Sequence, residues 1–210
     1  MENVGRWLPG SVDPTTLADS LGNKQLYPQT VPVTKQDLYL ELALLIEDLR
    51  KHPEDVLKDG KIIISEKLFT ICPSRGELVL VVLNAIEPEG IKEIERLGTV
   101  VAPKGIVQKE QVVCEMKVDL GTTDTHTIQV MFDELVLIPL PPQEKATVEV
   151  FCKRPFSLEG KTRIKREVVG GEVGIVIDGR GRPFVPPAMD AQGRKRMLKW
   201  RKALESGFYE

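Results

Sequence analysis

The sequence predicts an α+β protein in which a small α/β unit is followed by an antiparallel β barrel or sandwich and a C-terminal helix. One observation is a helical repeat of leucines in the first part, beside a short apolar strand and a second helix. Another is the alternation of apolar and polar residues after Ile106, which is typical of half-buried strands. We therefore divide the chain into residues 1–102, an α/β unit with an extended N-terminal arm, and residues 103–210.

The composition is that of a soluble globular protein. Of the 210 residues 41% are hydrophobic and 29% are charged, and the net charge of −2 excludes a globally basic nucleic-acid binder but not a local basic patch. Three scattered cysteines favour a reducing compartment over a disulfide framework. The polar first residues do not resemble a signal peptide, and the longest apolar run, Leu78–Leu83, is too short to span a bilayer. These features predict a cytoplasmic location.

The first unit begins with a short helix and an extended segment. Asp13 is a suitable N-cap, Pro14 suits the first helical position, and Gly22 is expected to end the helix. The following stretch, "LYPQTVPVT", contains two prolines that oppose both a helix and a central strand.

The clearest helix of the chain lies between Thr34 and Pro53. Thr34 and Asp37 can form a capping box at its start. Its apolar face carries leucines at helical spacing, namely Leu38, Leu42, Leu45 and Leu49. These leucines are predicted to pack in the core, because the pattern is too short for a coiled coil.

A buried strand, "KIIIS", and a helix capped by Ser74 and ended before Pro88 complete the α/β unit. Beyond residue 106 the strands are broken by glycine, proline and aspartate turns, which suggests a small barrel or sandwich. They are predicted in "QVVCEMKVDL", "HTIQVMFDELVLIPL", "ATVEVFCKRPF", "TRIKREVV" and "EVGIVI".

The stretch "GIVIDGRGRPF" predicts a β-hairpin. Asp178 and Gly179 suit a tight turn that needs a positive φ, and Gly181 provides a second permissive position. Arg180 and Arg182 are expected to be solvated turn residues of mainly structural importance. The alternative is an anion-binding site in which both arginines clamp a phosphate.

The last segment predicts a basic amphipathic helix. Met197, Trp200 and Leu204 share one side, which we expect to pack against the chain or a neighbouring subunit. An amphipathic cationic helix can also grip an acidic partner or RNA, and an acidic protein is the favoured partner. The residues predicted to bind the partner are Arg194, Lys195, Arg196, Lys199, Trp200 and Arg201.

No catalytic constellation is recognisable. The sequence contains no GxSxG, no HExxH and no glycine-rich phosphate loop. Asp133 and Glu134 are predicted to be strand neighbours on opposite faces, so they do not form a general acid/base pair. We expect no catalytic residues, no metal and no cofactor.

The order of several motifs is more specific than any one of them. The chain contains, in this order, "WLPG", "NKQLYPQTVPVTKQDLYLELALL", "PSRGELVLVVLNAIEPEGI", "LGTVVAPKG", "IPLPPQEKATVEV" and "GGEVGIVIDGRGRP", before the basic helix. This order resembles the C-terminal portion of the MutL/GlmL-type accessory proteins linked to cobalamin-dependent glutamate mutase, which are unrelated to the mismatch-repair MutL. The resemblance covers nearly the whole chain. It implies an actin/Hsp70-like ATPase lineage and a role as reactivator or chaperone of a radical mutase.

Two departures from that family pattern shape the functional hypotheses. In that lineage the nucleotide is held between two lobes, and the resemblance does not include the N-terminal lobe. In addition, Ser65, Glu66 and Lys67 stand where the family has a glycine pair that lets the backbone approach adenosine. The leading hypothesis is therefore a non-catalytic accessory or scaffold subunit of a larger complex, whose partners are other protein subunits. The alternatives are one half of a split actin-like ATPase, completed by a separate lobe to reactivate a mutase, and an RNA-binding module that uses the basic helix.

Overall fold

The computed structural model describes residues 2–10, 12–58, 60–106, 111–121, 125–188 and 190–205. The helices in these ranges are α1 (Glu2–Gly5), α2 (Pro14–Leu26), α3 (Lys35–Lys51), α4 (Glu66–Ile71), α5 (Arg75–Ile86) and α6 (Ala191–Glu205). The strands are β1 (Leu57–Lys58), β2 (Lys61–Ile62), β3 (Gly90–Ile94), β4 (Gly98–Ala102), β5 (Val112–Asp119), β6 (Thr125–Met131), β7 (Leu135–Ile138), β8 (Lys145–Cys152), β9 (Arg163–Val169) and β10 (Gly174–Asp178). A short 3-10 helix, Pro53–Asp55, follows α3.

The predicted helix caps are present. The Asp13 carboxylate accepts hydrogen bonds from the backbone N–H groups at the start of α2, and Thr34 and Asp37 form a complete capping box at the start of α3. The prediction that Gly22 ends α2 is wrong, since the helix continues to Leu26. A single mid-helix glycine costs only about 1 kcal/mol, which neighbouring helical residues offset.

A six-stranded mixed sheet has the order β1-β2-β3-β4-β10-β7. β4 pairs with β10 in parallel, with Val100 opposite Val176, and β10 pairs with β7 in the antiparallel sense. The sheet therefore takes strands from both sides of residue 102. The prediction that all later strands form one separate antiparallel unit is wrong for β7 and β10, because every residue of β10 is buried and the strand needs cover on both faces.

A four-stranded antiparallel sheet has the order β6-β5-β8-β9. β8 alternates in burial along its whole length, as the sequence predicts. β6 and β9 are its edges, so the sheet is open and the described residues contain no closed barrel. The α+β class with two sheets and a C-terminal helix is confirmed, while the barrel is not found.

The core has three layers: helices, the six-stranded sheet and the four-stranded sheet. Val100 and Val176 point into the cluster shared with the helices, whereas Val101, Ile175 and Ile177 point into the cluster shared with the four-stranded sheet. Within the described residues, no helix combines the length and apolar character needed to cross a lipid bilayer.

Candidate functional site

A buried charge cluster lies at the end of β10. Asp178 accepts hydrogen bonds from both guanidinium groups, at 2.8 Å from Arg180 Nη2 and 2.7 Å from Arg182 Nη2. All three side chains are almost completely buried. Burial alone raises the pKa of the Asp178 carboxyl, but the charges and hydrogen bonds of the two arginines outweigh it and hold that pKa well below its usual range.

The remaining nitrogens of both arginines have internal acceptors. Arg180 Nη1 donates to Asn84 Oδ1 at 2.6 Å. Arg182 Nε donates to the carbonyl of Pro88 at 3.1 Å, and its Nη1 donates to the carbonyl of Gly181. The guanidinium group of Arg180 also stacks on aromatic rings, as described below. The prediction that these arginines are solvated turn residues is wrong, because both serve as internal cross-links.

The predicted hairpin is also absent. Among the described residues that follow β10 there is no returning strand, and an isolated bridge joins Arg182 to Gly105. Gly181 has φ 79°, whereas Gly179 does not adopt a positive φ. Gly179 is needed for a different reason, because a Cβ there would lie 2.5 Å from the carbonyl oxygen of Met131.

The inward side of α6 is anchored to this charge cluster and to the turn between β6 and β7. Trp200 is 0% exposed, and its indole lies 4.7 Å from the Arg180 guanidinium, which also stacks on Phe184 at 4.4 Å. The indole Nε1–H of Trp200 donates to the Asp133 carbonyl at 3.1 Å. The predicted burial of Met197, Trp200 and Leu204 is confirmed. Trp200 is therefore an internal anchor of α6 and is inaccessible to a partner.

Arg196 and Arg201 also make internal contacts. Arg196 Nη2 binds the Asp133 carboxylate at 2.6 Å, so Asp133 fixes α6 through both its side chain and its backbone. Asp133 and Glu134 lie in the β6–β7 turn and not within a strand, and Glu134 Oε1 is 3.7 Å from Lys199 Nζ. Their common function is to contact α6.

Arg201 lies at the junction of α3, α5 and α6. Its guanidinium group stacks on the ring of Tyr39 at 4.1 Å, and its Nε is 3.4 Å from Glu77 Oε1. Nε and Nη1 are buried without a hydrogen-bond partner, so the positive charge is incompletely satisfied. Burial raises the pKa of Glu77, the charge of Arg201 lowers it, and the charge of Glu205 raises it, with a net increase.

The outward side of α6 is the part of the predicted site that is open to solvent. Lys195, Lys199 and Lys202 are exposed and follow one another at helical spacing, so they form a ridge. Leu198 lies among them and is 51% exposed. We call these four residues the outward face of α6. The sequence predicts neither Leu198 nor Lys202 as a site residue, although a leucine on the polar side of an amphipathic helix is a usable signal.

A groove beside Leu198 is a second feature that the sequence does not predict. Its volume is about 390 Å³. It lies between α6, the start of α3 and the segment after α1. Its lining residues are Leu8, Pro9, Gly10, Val12, Lys35, Gln36, Tyr39 and Leu198. We call it the Leu198 groove.

The turn after β2 leads directly into α4. Ser65 caps α4 by accepting a hydrogen bond from the Leu68 N–H, and Glu66 pairs with Arg96 at 2.6 Å. Among the described residues, no three potential metal ligands form a cluster. No family model, curated protein or solved structure matches the chain.

Proposed function

We propose that the chain is a non-catalytic accessory subunit that binds another protein through the outward face of α6. The observation that carries the proposal is an exposed leucine, Leu198, surrounded by the exposed lysines Lys195, Lys199 and Lys202. An apolar side chain within a cationic rim suits an acidic protein surface, since burial of the leucine supplies affinity and the lysines supply attraction at a distance.

The way α6 is held supports this proposal. Trp200 and Arg196 both bind Asp133, so the helix is fixed on its inward side while its outward side remains available. A fixed helix loses little conformational freedom on binding, which favours affinity. Glu205 is the only acidic residue among the residues of α6, so the helix itself neutralises little of the positive charge.

The sequence resemblance to MutL/GlmL-type accessory proteins is a second, independent support. It favours an accessory role over catalysis and makes a cobalamin-dependent mutase, or a separate actin-like lobe, a candidate partner. The residues at Ser65–Lys67 are unlike the glycine pair of that family, which favours the accessory role over a split ATPase.

The proposal is tested by replacing the ridge. A Lys195→Glu/Lys199→Glu/Lys202→Glu variant is compared with a matched variant that changes three exposed lysines of the four-stranded sheet, Lys117, Lys145 and Lys165, to glutamate. Each tagged chain is purified from its native cells at low salt, with and without ribonuclease. We expect a stoichiometric protein component with the wild type and the sheet variant, and its loss with the α6 variant.

Three results would contradict the proposal. If ribonuclease removed the bound material, the helix would be a nucleic-acid element. If the protein component remained on the α6 variant, the interaction would use another surface. ATP hydrolysis by the purified complex, lost on replacing Glu66 and Lys67, would favour the split ATPase.

A further inference from the structure

The Leu198 groove has an apolar floor built on fixed elements. Leu8 is buried, and the neighbouring Trp7 stacks on Phe184 at 6.2 Å between ring centres. Tyr39 is held from one side by the guanidinium group of Arg201 at 4.1 Å. The volume of the groove, about 390 Å³, is within the range of preformed binding pockets. The groove is thus wide enough for one bulky apolar side chain without rearrangement of the core.

The rim of the groove is cationic. Lys35 is part of its lining, which contains no acidic residue. On α6, Lys195 and Lys202 lie three residues before and four residues after Leu198, so both flank it on the helix surface. Arg201, behind Tyr39, is buried and paired with Glu77, so the charge of the rim comes from the lysines. Positive charge therefore surrounds the apolar floor on the sides formed by α3 and α6.

We infer that the Leu198 groove is the docking site for an acidic segment of a partner protein, which inserts one bulky apolar side chain. Carboxylates on either side of that side chain would pair with Lys35, Lys195 and Lys202. The inference rests on the proposed function and names the chemistry of the partner. An RNA strand fits less well, because its phosphates gain nothing from an apolar floor and one face of Tyr39 is already covered by Arg201.

An apolar anchor on the partner is favoured by the surface that it would bury on binding. Leu198 is half-exposed in the free chain, so a partner that covers it removes apolar surface from water at little structural cost. The lysines alone would give a weak, salt-sensitive attraction with little specificity. The combination of anchor and charge is what distinguishes this groove from a solvated basic helix.

The test uses the full chain and a fluorescein-labelled short peptide rich in glutamate with one central phenylalanine. Fluorescence anisotropy at low salt is measured for this peptide, for its Phe→Ala form, for its Glu→Gln form and for a single-stranded RNA of matched length. We expect the first peptide to bind at least about tenfold more tightly than each of the others, which corresponds to about 1.4 kcal/mol.

Variants of the chain test whether the peptide binds in the groove. Leu198→Glu and Lys35→Glu should each weaken peptide binding at least about fivefold. The matched control is Leu26→Glu, since Leu26 is 73% exposed at the end of α2 and does not line the groove. This control should change binding less than about twofold. Circular dichroism melts of the same variants exclude unfolding as the cause.

The outcomes separate this inference from the proposed function. Equal binding of the Phe→Ala peptide, tighter binding of the RNA, or an unaffected Leu198→Glu variant would each overturn the groove inference. If the native protein component nevertheless requires Lys195, Lys199 and Lys202, the proposed function stands without the groove. If that component is also independent of the lysines, both fail.

Discussion

Arg180 connects a strand end, a helix and two aromatic rings. Its guanidinium group binds Asp178 and Asn84 and lies against the rings of both Phe184 and Trp200. Removing one member of a buried ion cluster leaves an uncompensated charge, so Arg180→Ala should lower the free energy of unfolding by about 3–5 kcal/mol. Urea melts measure this. The control is Arg163→Ala, an exposed arginine paired with Glu149 on the four-stranded sheet, which should cost less than about 1 kcal/mol. Equal costs would contradict the structural role of Arg180.

The pH dependence of stability offers a second test of the same cluster. The Asp178 carboxyl has a pKa in the folded protein well below its usual value of 3.8. Its ionised form therefore stabilises the fold above about pH 4, and this stabilisation is lost as the pH falls through the folded-state pKa. Asp178→Asn should be strongly destabilising at neutral pH, and the gap between wild type and variant should narrow below about pH 4. Urea melts at a series of pH values measure this difference in the free energy of unfolding. If the difference stayed constant down to about pH 2, the ionisation of Asp178 would not contribute to stability.

For single residues, the sequence predicts the helix caps better than it predicts the contacts of the buried charges. Thr34 and Asp37 are three residues apart, so their capping box is visible in a local pattern. Arg180 donates a hydrogen bond to Asn84, which is 96 residues away in the sequence, and no local pattern encodes that contact. Two arginines in a glycine-rich stretch therefore suggest a solvated turn, whereas tertiary contacts make them core residues.

The crossing of α5 and α6 depends on a glycine. A Cβ at Gly76 would lie 2.7 Å from the carbonyl oxygen of Leu204, so Gly76→Ala must separate the two helices. We expect it to cost about 1–3 kcal/mol in urea melts. Gly22 in α2 is a matched control, because a Cβ there meets no atom within 4 Å. Gly22→Ala should stabilise the protein by about 0.5–1 kcal/mol, since alanine is the better helix former. The same sign for both substitutions would contradict the close crossing.

The anchor of α6 should depend far more on its indole than on its lysines. Trp200→Ala removes a fully buried side chain and its hydrogen bond to Asp133, so it should cost about 3–5 kcal/mol. Lys199→Ala should cost less than about 0.5 kcal/mol, because its contact with Glu134 is long and half-exposed. Thermal melts of the two variants rank them. A Lys199 effect equal to that of Trp200 would refute the division of α6 into an inward anchor and an outward face.

The sequence predicts well which segments with strong periodicity form helices and strands, but it does not predict which strands pair with each other. The apolar stripe of Met197, Trp200 and Leu204 is visible in the sequence and is buried as predicted. β10 is also visible as a strand, but its parallel partner β4 lies more than seventy residues earlier. Alternation predicts that a segment is a strand without predicting which sheet it joins.

For the whole molecule, the three-layer core determines what remains for function. The six-stranded sheet is covered on one face by helices and on the other by the four-stranded sheet. The buried charge cluster at Asp178 joins β10 to α5 and α6, through the contacts of Arg180 with Asn84 and Trp200. The Leu198 groove joins three segments that are distant in sequence, represented by Leu8, Tyr39 and Leu198. The sequence therefore predicts a basic helix with partner-binding residues, whereas the groove beside it emerges only from the tertiary arrangement.

In-cell photo-crosslinking tests most directly whether the outward face of α6 contacts another protein. A photoreactive amino acid is placed at position 198 and, as the control, at position 117, an exposed site on the four-stranded sheet. We expect a discrete protein adduct from position 198, joined through a peptide rich in aspartate and glutamate, and no such adduct from position 117. A nucleic-acid adduct from position 198, or the same protein adduct from both positions, would contradict the proposed contact of α6 with another protein.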